Sequence, residues 1–393
     1  MKSINRRNVI LRQLWNADLL QIIKKNNIFD VTILIMFLLV ISSPLILVNN
    51  NNISKVENRT LAQFPKLKLS SGINNKFSKE FDSWFNDQYG FRDYLIKYSS
   101  LLHVKIFSTS PSNRVLLGKD GWLFYADKAD GDSVSCYQNI NLYTEEKLKI
   151  IKDNLVEQEN WCKMHDAEFI LMFIPNKETI YGEYYPNGIN KMGSYSKLDQ
   201  VINYLKLHTD IRIVDVRKEL INAKNRAQIY YKTDTHWNSF GAFIGYQGLI
   251  KEINKSNPKV KPDTLDDFDI QKVNQKGGDL TRILNLEYYY DDSDFIFKRK
   301  KDDTYIINIP LNDFDGGRDI SKSSDKLLPK AIMFRDSFTK KMIPFISNQF
   351  SEIVYDWTEK INHNLIKEEK PNIVIFEIVE RRIDFLINKN PLD

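Results

Sequence analysis

Hydrophobic positions divide the chain into three stretches of different rhythm. The first is continuous: "VTILIMFLLVISSPLILV", residues 31–48, is 18 positions long and holds no charge. As a helix it spans roughly 27 Å, close to the thickness of a bilayer core, so it predicts one N-terminal transmembrane helix. The second stretch is helical in period. Phe77, Phe81, Trp84 and Phe85 recur at spacings of three and four, and "YGFRDYLIKYSSLLHVKIF" continues the pattern after Gly90. The third alternates. "FILMFIP" (169–175), "IRIVDV" (211–216), "KAIMF" (330–334), "SEIVYDW" (351–357) and "NIVIFEIV" (372–379) are short apolar runs. Helical patterns separate them, over 144–165, 195–208 and about 238–255. Continuous apolar strands between helices predict an α/β fold with a central parallel sheet covered on both faces.

Punctuation sharpens the boundaries. "RVLLGKDGWLFY" (114–125) predicts a hairpin turning at Gly118–Gly121. Thr144 is placed to cap the helix that follows it, with acids in its first turn. Residues 49–70 are Asn-rich and polar and read as a linker; Asn58-Arg59-Thr60 is a sequon within it. Residues 256–328 are rich in Asp and Lys and read as an insertion, irregular apart from short strands around "YIINIP". The expected organisation is a basic tail (1–30), an anchor (31–48), a linker and helical segment (49–113), and an α/β domain (114–393) with the insertion at about 256–328.

Charge changes this picture in one place. The net charge is +5, and residues 1–30 hold six basic side chains against Asp18 and Asp30, leaving the remainder near neutral. A nucleic-acid partner asks for a basic face on the folded domain, so none is expected. Basic residues before an apolar span predict a cytoplasmic N-terminus. An uncleaved single-pass anchor in the cytoplasmic membrane then leaves 49–393 periplasmic or extracellular. Cys136 and Cys162 would meet an oxidising compartment, and a disulfide between them and two buried thiols are both open readings.

In an open α/β sheet, reactive groups gather on loops at the carboxyl ends of strands. Three loops there hold suitable residues. "FIPNK" supplies Asn176 and Lys177, "KTDTHW" supplies Asp234, His236 and Trp237, and "IMFRDSF" supplies Arg335, Asp336 and Ser337. A serine just after a strand, at a helix start, is exposed for attack. It needs a base for its proton, and the base needs an orienting carboxylate. His236 and Asp234 fit those two parts. Asn176 and the Ser337 N–H are the candidate oxyanion donors, and Lys177 lies beside them. Each residue alone has a structural reading: a cap for Ser337, Asp234 or Asp336, a buried histidine for His236, a turn for Asn176–Lys177. No Gly-rich phosphate loop and no convincing metal spacing occurs, so no cofactor and no metal is expected.

Six segments taken together, "VENRTLAQFP", "FNDQYGFRD", "KDGWLFY", "PNKETIYGEYYP", "DTHW" and "RDSF", resemble the AlgJ/AlgX type of alginate O-acetyltransferase, an SGNH-hydrolase-like family also met as "DHHW" proteins. The resemblance spans about 56–382. It implies a three-layer SGNH-hydrolase-like fold with Ser337 as acetyl-accepting nucleophile, His236 as base and Asp234 as its orienting acid. It also implies acetyl groups supplied by a membrane-bound O-acyltransferase and accepted by hydroxyls of an exported polysaccharide. A polysaccharide O-acetyl esterase with the same three residues, and a non-catalytic assembly subunit, are the competing readings. Two departures stand out. Arg335 occupies the position where the simplest SGNH motif has Gly, so it is expected to crowd the turn or to meet an acidic sugar. The chain also ends at Asp393 and is therefore expected to lack the C-terminal carbohydrate-binding module of the AlgX-like members. Aromatic Trp237, Phe334 and Phe338 are expected to keep water from the site.

Overall fold

The computed structural model describes residues 28–46, 48, 52–54, 59–69, 72–301, 304–309 and 317–388. The chain divides into two compact units, Met1–Ser99 and Ser100–Asp393. The expected basic tail, through residue 27, and the sequon's Asn58 lie outside the described residues.

In the first unit, helix α1 (Ile28–Ile46) covers most of the expected anchor. Among the described residues no helix is long and apolar enough to cross a membrane, so the fold does not establish the anchor. Helix α2 (Phe77–Gln88) carries the expected aromatic face. Phe64 meets it edge-on, 4.8 Å from the Trp84 ring and 6.1 Å from Phe81. Asp87 accepts from the Ala62 N–H at 2.8 Å, fixing the extended segment against the helix. Helix α3 (Arg92–Lys105), after the break at Gly90, starts in the first unit and ends in the second.

The second unit opens with the expected hairpin, β1 (Val115–Leu117) against β2 (Leu123–Tyr125). Its turn needs left-handed backbone at Asp120 and Gly121, which glycine adopts without penalty. The central sheet comprises β3 (Glu168–Ile174), β4 (Arg212–Asp215), β7 (Thr304–Ile309), β8 (Arg318–Ser323), β9 (Lys330–Arg335), β10 (Glu352–Trp357) and β11 (Ile373–Val379). Their order is β7-β8-β10-β9-β11-β3-β4. The five strands from β10 to β4 pair in parallel, as expected. β8 pairs antiparallel with β10, and β7 antiparallel with β8, so the insertion supplies a mixed edge.

The parallel strands are apolar on both sides because both sides are covered. Phe169, Leu171 and Phe173 of β3 face α4 (Glu145–Met164) and α5 (Lys197–His208). Ile170, Met172 and Ile174 face α6 (Ser239–Asn254) and the turns after β9. Capping follows the sequence: Thr144 Oγ1 accepts from Lys147 N, and Ser196 forms a capping box with Asp199. Cys162 is on the buried face of α4 and Cys136 is half-buried, both as free thiols. Burial pushes each up to about 12.

Two expectations need correction. The insertion is more regular than its composition suggests. β5 (Phe268–Lys276) and β6 (Asp291–Arg299) pair along their full lengths in an antiparallel hairpin. Only Phe268 is buried along β5, so the apolar alternation that flags a strand is missing. In the opposite sense, "FTKKMIPFISNQF" is not one helix. It breaks into the short turns Phe338–Lys341, Ile343–Ile346 and Ser347–Gln349.

Candidate active site

Three distant residues meet in one hydrogen-bonded line. His236 Nδ1 lies 2.6 Å from Asp234 Oδ1, and His236 Nε2 lies 2.7 Å from Ser337 Oγ. Asp234 also accepts from the His236 N–H at 3.0 Å and, through Oδ2, from the Asp279 N–H at 2.9 Å. Ser337 follows β9, as the apolar run before it requires. The Asp234–His236 loop does not follow a sheet strand. Its neighbour Tyr230 makes only an isolated bridge to Trp237, and Ile229 and Tyr230 are buried in the core with α6.

Burial and charge tune these groups. Burial would raise Asp234, but the His236 hydrogen bond and charge outweigh it and hold its carboxyl well below the carboxylate range. For His236 burial is again the largest effect and lowers its basicity. The hydrogen bond and charge of Asp234, with the charge of Asp279, more than reverse it. The His236 side chain is 25% exposed and that of Asp234 14%, so the site is open at one end.

The remaining candidates sort into different parts. Asn176 precedes the one-turn helix Lys177–Ile180; its N–H donates to Glu380 Oε2 and its Oδ1 accepts from Arg381 N. Its Nδ2 is buried with no protein acceptor, which leaves a donor available. Asn176 and Thr235 line one small cavity, of about 10 Å³, with Tyr125, Ser133, Glu178 and Arg381.

Lys177 is not turned to an anion. Its ammonium is buried and donates to the carbonyls of Tyr231, Lys232 and Asp234 at 3.2, 3.2 and 2.7 Å, so it ties down the Asp234 loop. Desolvation drops its pKa to about 8. Arg335 is 3% exposed, pairs with Asp319 at 3.0 Å and stacks over Trp357, so its guanidinium is engaged inside the fold instead of presented to a sugar. Trp237 is fully buried, and its Nε1 donates to the Phe338 carbonyl at 3.0 Å. It joins the two loops and does not line an open face. Phe334 belongs to the core on the α4 side. Phe338 alone of the three aromatics packs on the imidazole, ring centroids 4.7 Å apart.

Asp336 takes the capping part that its sequence position allowed, and the other supports were invisible as sequence. Asp336 Oδ1 accepts from Phe338 N at 2.8 Å, and buried Glu377 accepts from Asp336 N at 2.8 Å and Thr339 Oγ1 at 2.9 Å. Burial, then the Asp336 charge, raises Glu377 well above the carboxylate range. Asp294 of β6 accepts from Tyr231 Oη (2.5 Å) and Ser239 N (2.9 Å) of the histidine loop. It also takes Lys341 Nζ (2.8 Å) after the serine. The signal for these was weak, because each acts across a long stretch of chain.

The family described as "SGNH hydrolase-like domain, acetyltransferase AlgX" matches residues 115–293, taking in Asp234 and His236 and ending before Ser337. Residues 115–293 are thus similar to an SGNH-hydrolase-like acetyltransferase domain of the AlgX type. Over 231 residues the chain is 26% identical to the "Probable alginate O-acetylase AlgJ" of Pseudomonas syringae pv. tomato, covering 58% of this chain and 56% of that one. The chain spans about half the length of the curated relatives it matches. Two solved structures share the fold. A DHHW family protein from Eubacterium siraeum is 18% identical, with TM-score 0.51 over 70% of this chain and 99% of that one. Bacillus cereus PatB1 is 14% identical, with TM-score 0.51 and the same coverage. The hydrogen-bonded line sits where two loops and the insertion converge.

Proposed function

We propose that the chain is a membrane-anchored, extracytoplasmic O-acetyltransferase that passes acetyl groups to hydroxyls of an exported or cell-surface polysaccharide through acetyl-Ser337. The observation that carries this reading is the continuous path Asp234–His236–Ser337 on an AlgJ/AlgX-type domain. The name of the Pseudomonas syringae relative, a probable alginate O-acetylase, supports acetyl as the group and a polysaccharide as the acceptor class.

In the first half-reaction Ser337 Oγ attacks the acetyl carbonyl and its proton passes to His236 Nε2. The Oγ–C bond forms, the bond from the acetyl carbon to the donor breaks, and His236 returns the proton to the leaving atom. In the second, a sugar hydroxyl attacks acetyl-Ser337 and gives its proton to Nε2, and Oγ departs with that proton. Asp234 holds the Nδ1–H and stabilises the imidazolium of each step. Asn176 Nδ2 is the free donor suited to the oxyanion. The Phe338 ring against His236 limits water, which would turn the transferase into an esterase.

The anchor draws support from α1, which exposes Phe29, Leu34, Phe37 and Val40. With the basic tail cytoplasmic, the domain lies on the far side, and a membrane-bound O-acyltransferase is the partner that delivers acetyl groups. The test is intact-protein mass spectrometry of the full chain with an activated acetyl ester. One acetyl group is expected on wild type and none on Ser337→Ala. Oligosaccharide acceptors then discharge it faster than water does. Hydrolysis with no transfer to any acceptor makes the protein an esterase, and no adduct at all favours an assembly subunit.

A further inference from the structure

The insertion brings a second acid to the histidine. Asp279 opens the short helix Asp279–Ile283, yet its carboxylate does not cap that helix. It turns back to the Asp234–His236 loop. Oδ1 accepts from Thr235 N at 2.8 Å and Oδ2 accepts from Thr235 Oγ1 at 2.5 Å. Oδ2 also lies 3.7 Å from His236 Nδ1. The approach is close enough to need glycine next door. A Cβ on Gly278 would stand 2.3 Å from Asp234 Cβ and 2.4 Å from Asp234 Oδ2.

A proton count shows what this geometry does. Thr235 has one hydroxyl proton, and Asp279 takes it. The Thr235 oxygen, 3.1 Å from His236 Nδ1, therefore faces the ring as an acceptor. Asp234 Oδ1 is the other partner of Nδ1 and is also an acceptor. Nδ1 then carries the proton of the neutral ring, and Nε2 keeps a lone pair toward Ser337.

We propose that Asp279 is a positioning residue for His236: through Thr235 it fixes which ring nitrogen holds the proton, and its negative charge steadies the imidazolium formed when Ser337 is deprotonated. This rests on the serine acyl-enzyme reading above. The charged groups that face His236 are Asp234 from its own loop, Asp279 from the insertion and Arg381 from the segment after β11. Arg381 opposes the two acids, with its guanidinium 5.8 Å from the Phe338 ring that packs on the histidine. Lys177 acts on both acids, with its ammonium on the Asp234 carbonyl. Of the acids, burial and the Asp234 charge raise Asp279, while Asp234 is lowered, so acidification neutralises Asp279 first.

The experiment is Asp279→Asn in the full chain, read two ways. The first is NMR titration of ring-labelled histidine, with His236 assigned by difference against His236→Gln. The second is the pH profile of Ser337 acylation by an activated acetyl ester. Expected is a neutral wild-type ring protonated on Nδ1, and in the variant a His236 midpoint lower by roughly one pH unit. That is about a tenfold change in the ratio of ring forms at fixed pH, and the acid limb of acylation moves with it. If the Asn variant does not fold, Asp279→Ser removes the charge and keeps an acceptor for Thr235. An unmoved His236 midpoint in a folded variant, or a neutral wild-type ring protonated on Nε2, overturns the proposal. A slower rate with both midpoints unmoved overturns it too, since a purely structural role gives that. If wild type takes no acetyl group, the acyl-enzyme reading fails while the NMR titration still judges Asp279.

Discussion

The indole Nε1 of Trp237 donates to the backbone carbonyl of Phe338 at 3.0 Å, so the residue after the histidine is bonded to the residue after the serine. The 2.7 Å spacing of His236 Nε2 and Ser337 Oγ is therefore set by a buried bond one position further along each loop. Trp237→Phe keeps a ring and deletes the hydrogen bond that joins the two loops. The expected cost is about 1–3 kcal/mol in urea unfolding, together with slower Ser337 acylation. Unchanged acylation would show that the two loops hold their spacing without it.

His236 ionises above the usual histidine value, despite burial, because of Asp234 and Asp279. Acylation needs the neutral ring, so its rate climbs with pH over a range displaced upward from about 6.5. Stability runs the other way for this group. A raised folded pKa contributes stability that is fully present below the unfolded value and is lost as pH rises through the folded one. The stability gap between wild type and His236→Gln is therefore larger at about pH 5 than at about pH 8, measured by denaturant unfolding.

Lys177 shows the opposite linkage. The folded ammonium releases its proton near 8 and the unfolded one near 10.5. Between those values the unfolded chain binds more protons, so this group makes the fold more stable as pH rises. Lys177→Met lacks that upward slope. It also removes the ammonium from three loop carbonyls, of which that of Lys232 keeps the Leu123 N–H, and a loss of about 1–3 kcal/mol at neutral pH is expected, with slower acylation. Unfolding curves across the alkaline range check both parts.

Gly278→Ala places a methyl against Asp234. Its φ is ordinary, at −84°, so the strain is one of contact and not of backbone conformation. Asp234 must shift, and an acylation rate lower by about a hundredfold is expected with the unfolding midpoint little changed. Acylation kinetics beside thermal unfolding separate this from general damage.

The parallel sheet was legible because each buried strand is a continuous apolar run, and β3, β9, β10 and β11 each feed both cores. Asp234, His236 and Ser337 were legible because a histidine between an acid and an indole, and a serine after a buried strand, are uncommon placements with a shared chemistry. Asp279 was not, since it sits in a segment full of acids and only the fold brings it to Thr235. The same holds for Asp294, which acts across 63 positions on Tyr231. Arg335 misled because a charge beside a candidate nucleophile suggests a ligand, whereas its partner Asp319 comes from β8, itself an unrecognised strand. The Asp234 loop was expected to leave a strand because "IYY" has strand composition; core burial without sheet pairing looks the same in a sequence.

The β5–β6 hairpin changes meaning once its acids are followed. Asp292 takes the Thr233 N–H and hydroxyl, Asp294 reaches both reactive loops, and Asp279 lies in the turn between the strands. What resembles an ornament on an older scaffold is thus soldered to the histidine. Trading this segment between homologous proteins trades the histidine's surroundings with it. A chimera assembled at those seams inherits the base strength of whichever parent supplied the insertion, even when Asp234, His236 and Ser337 come from the other.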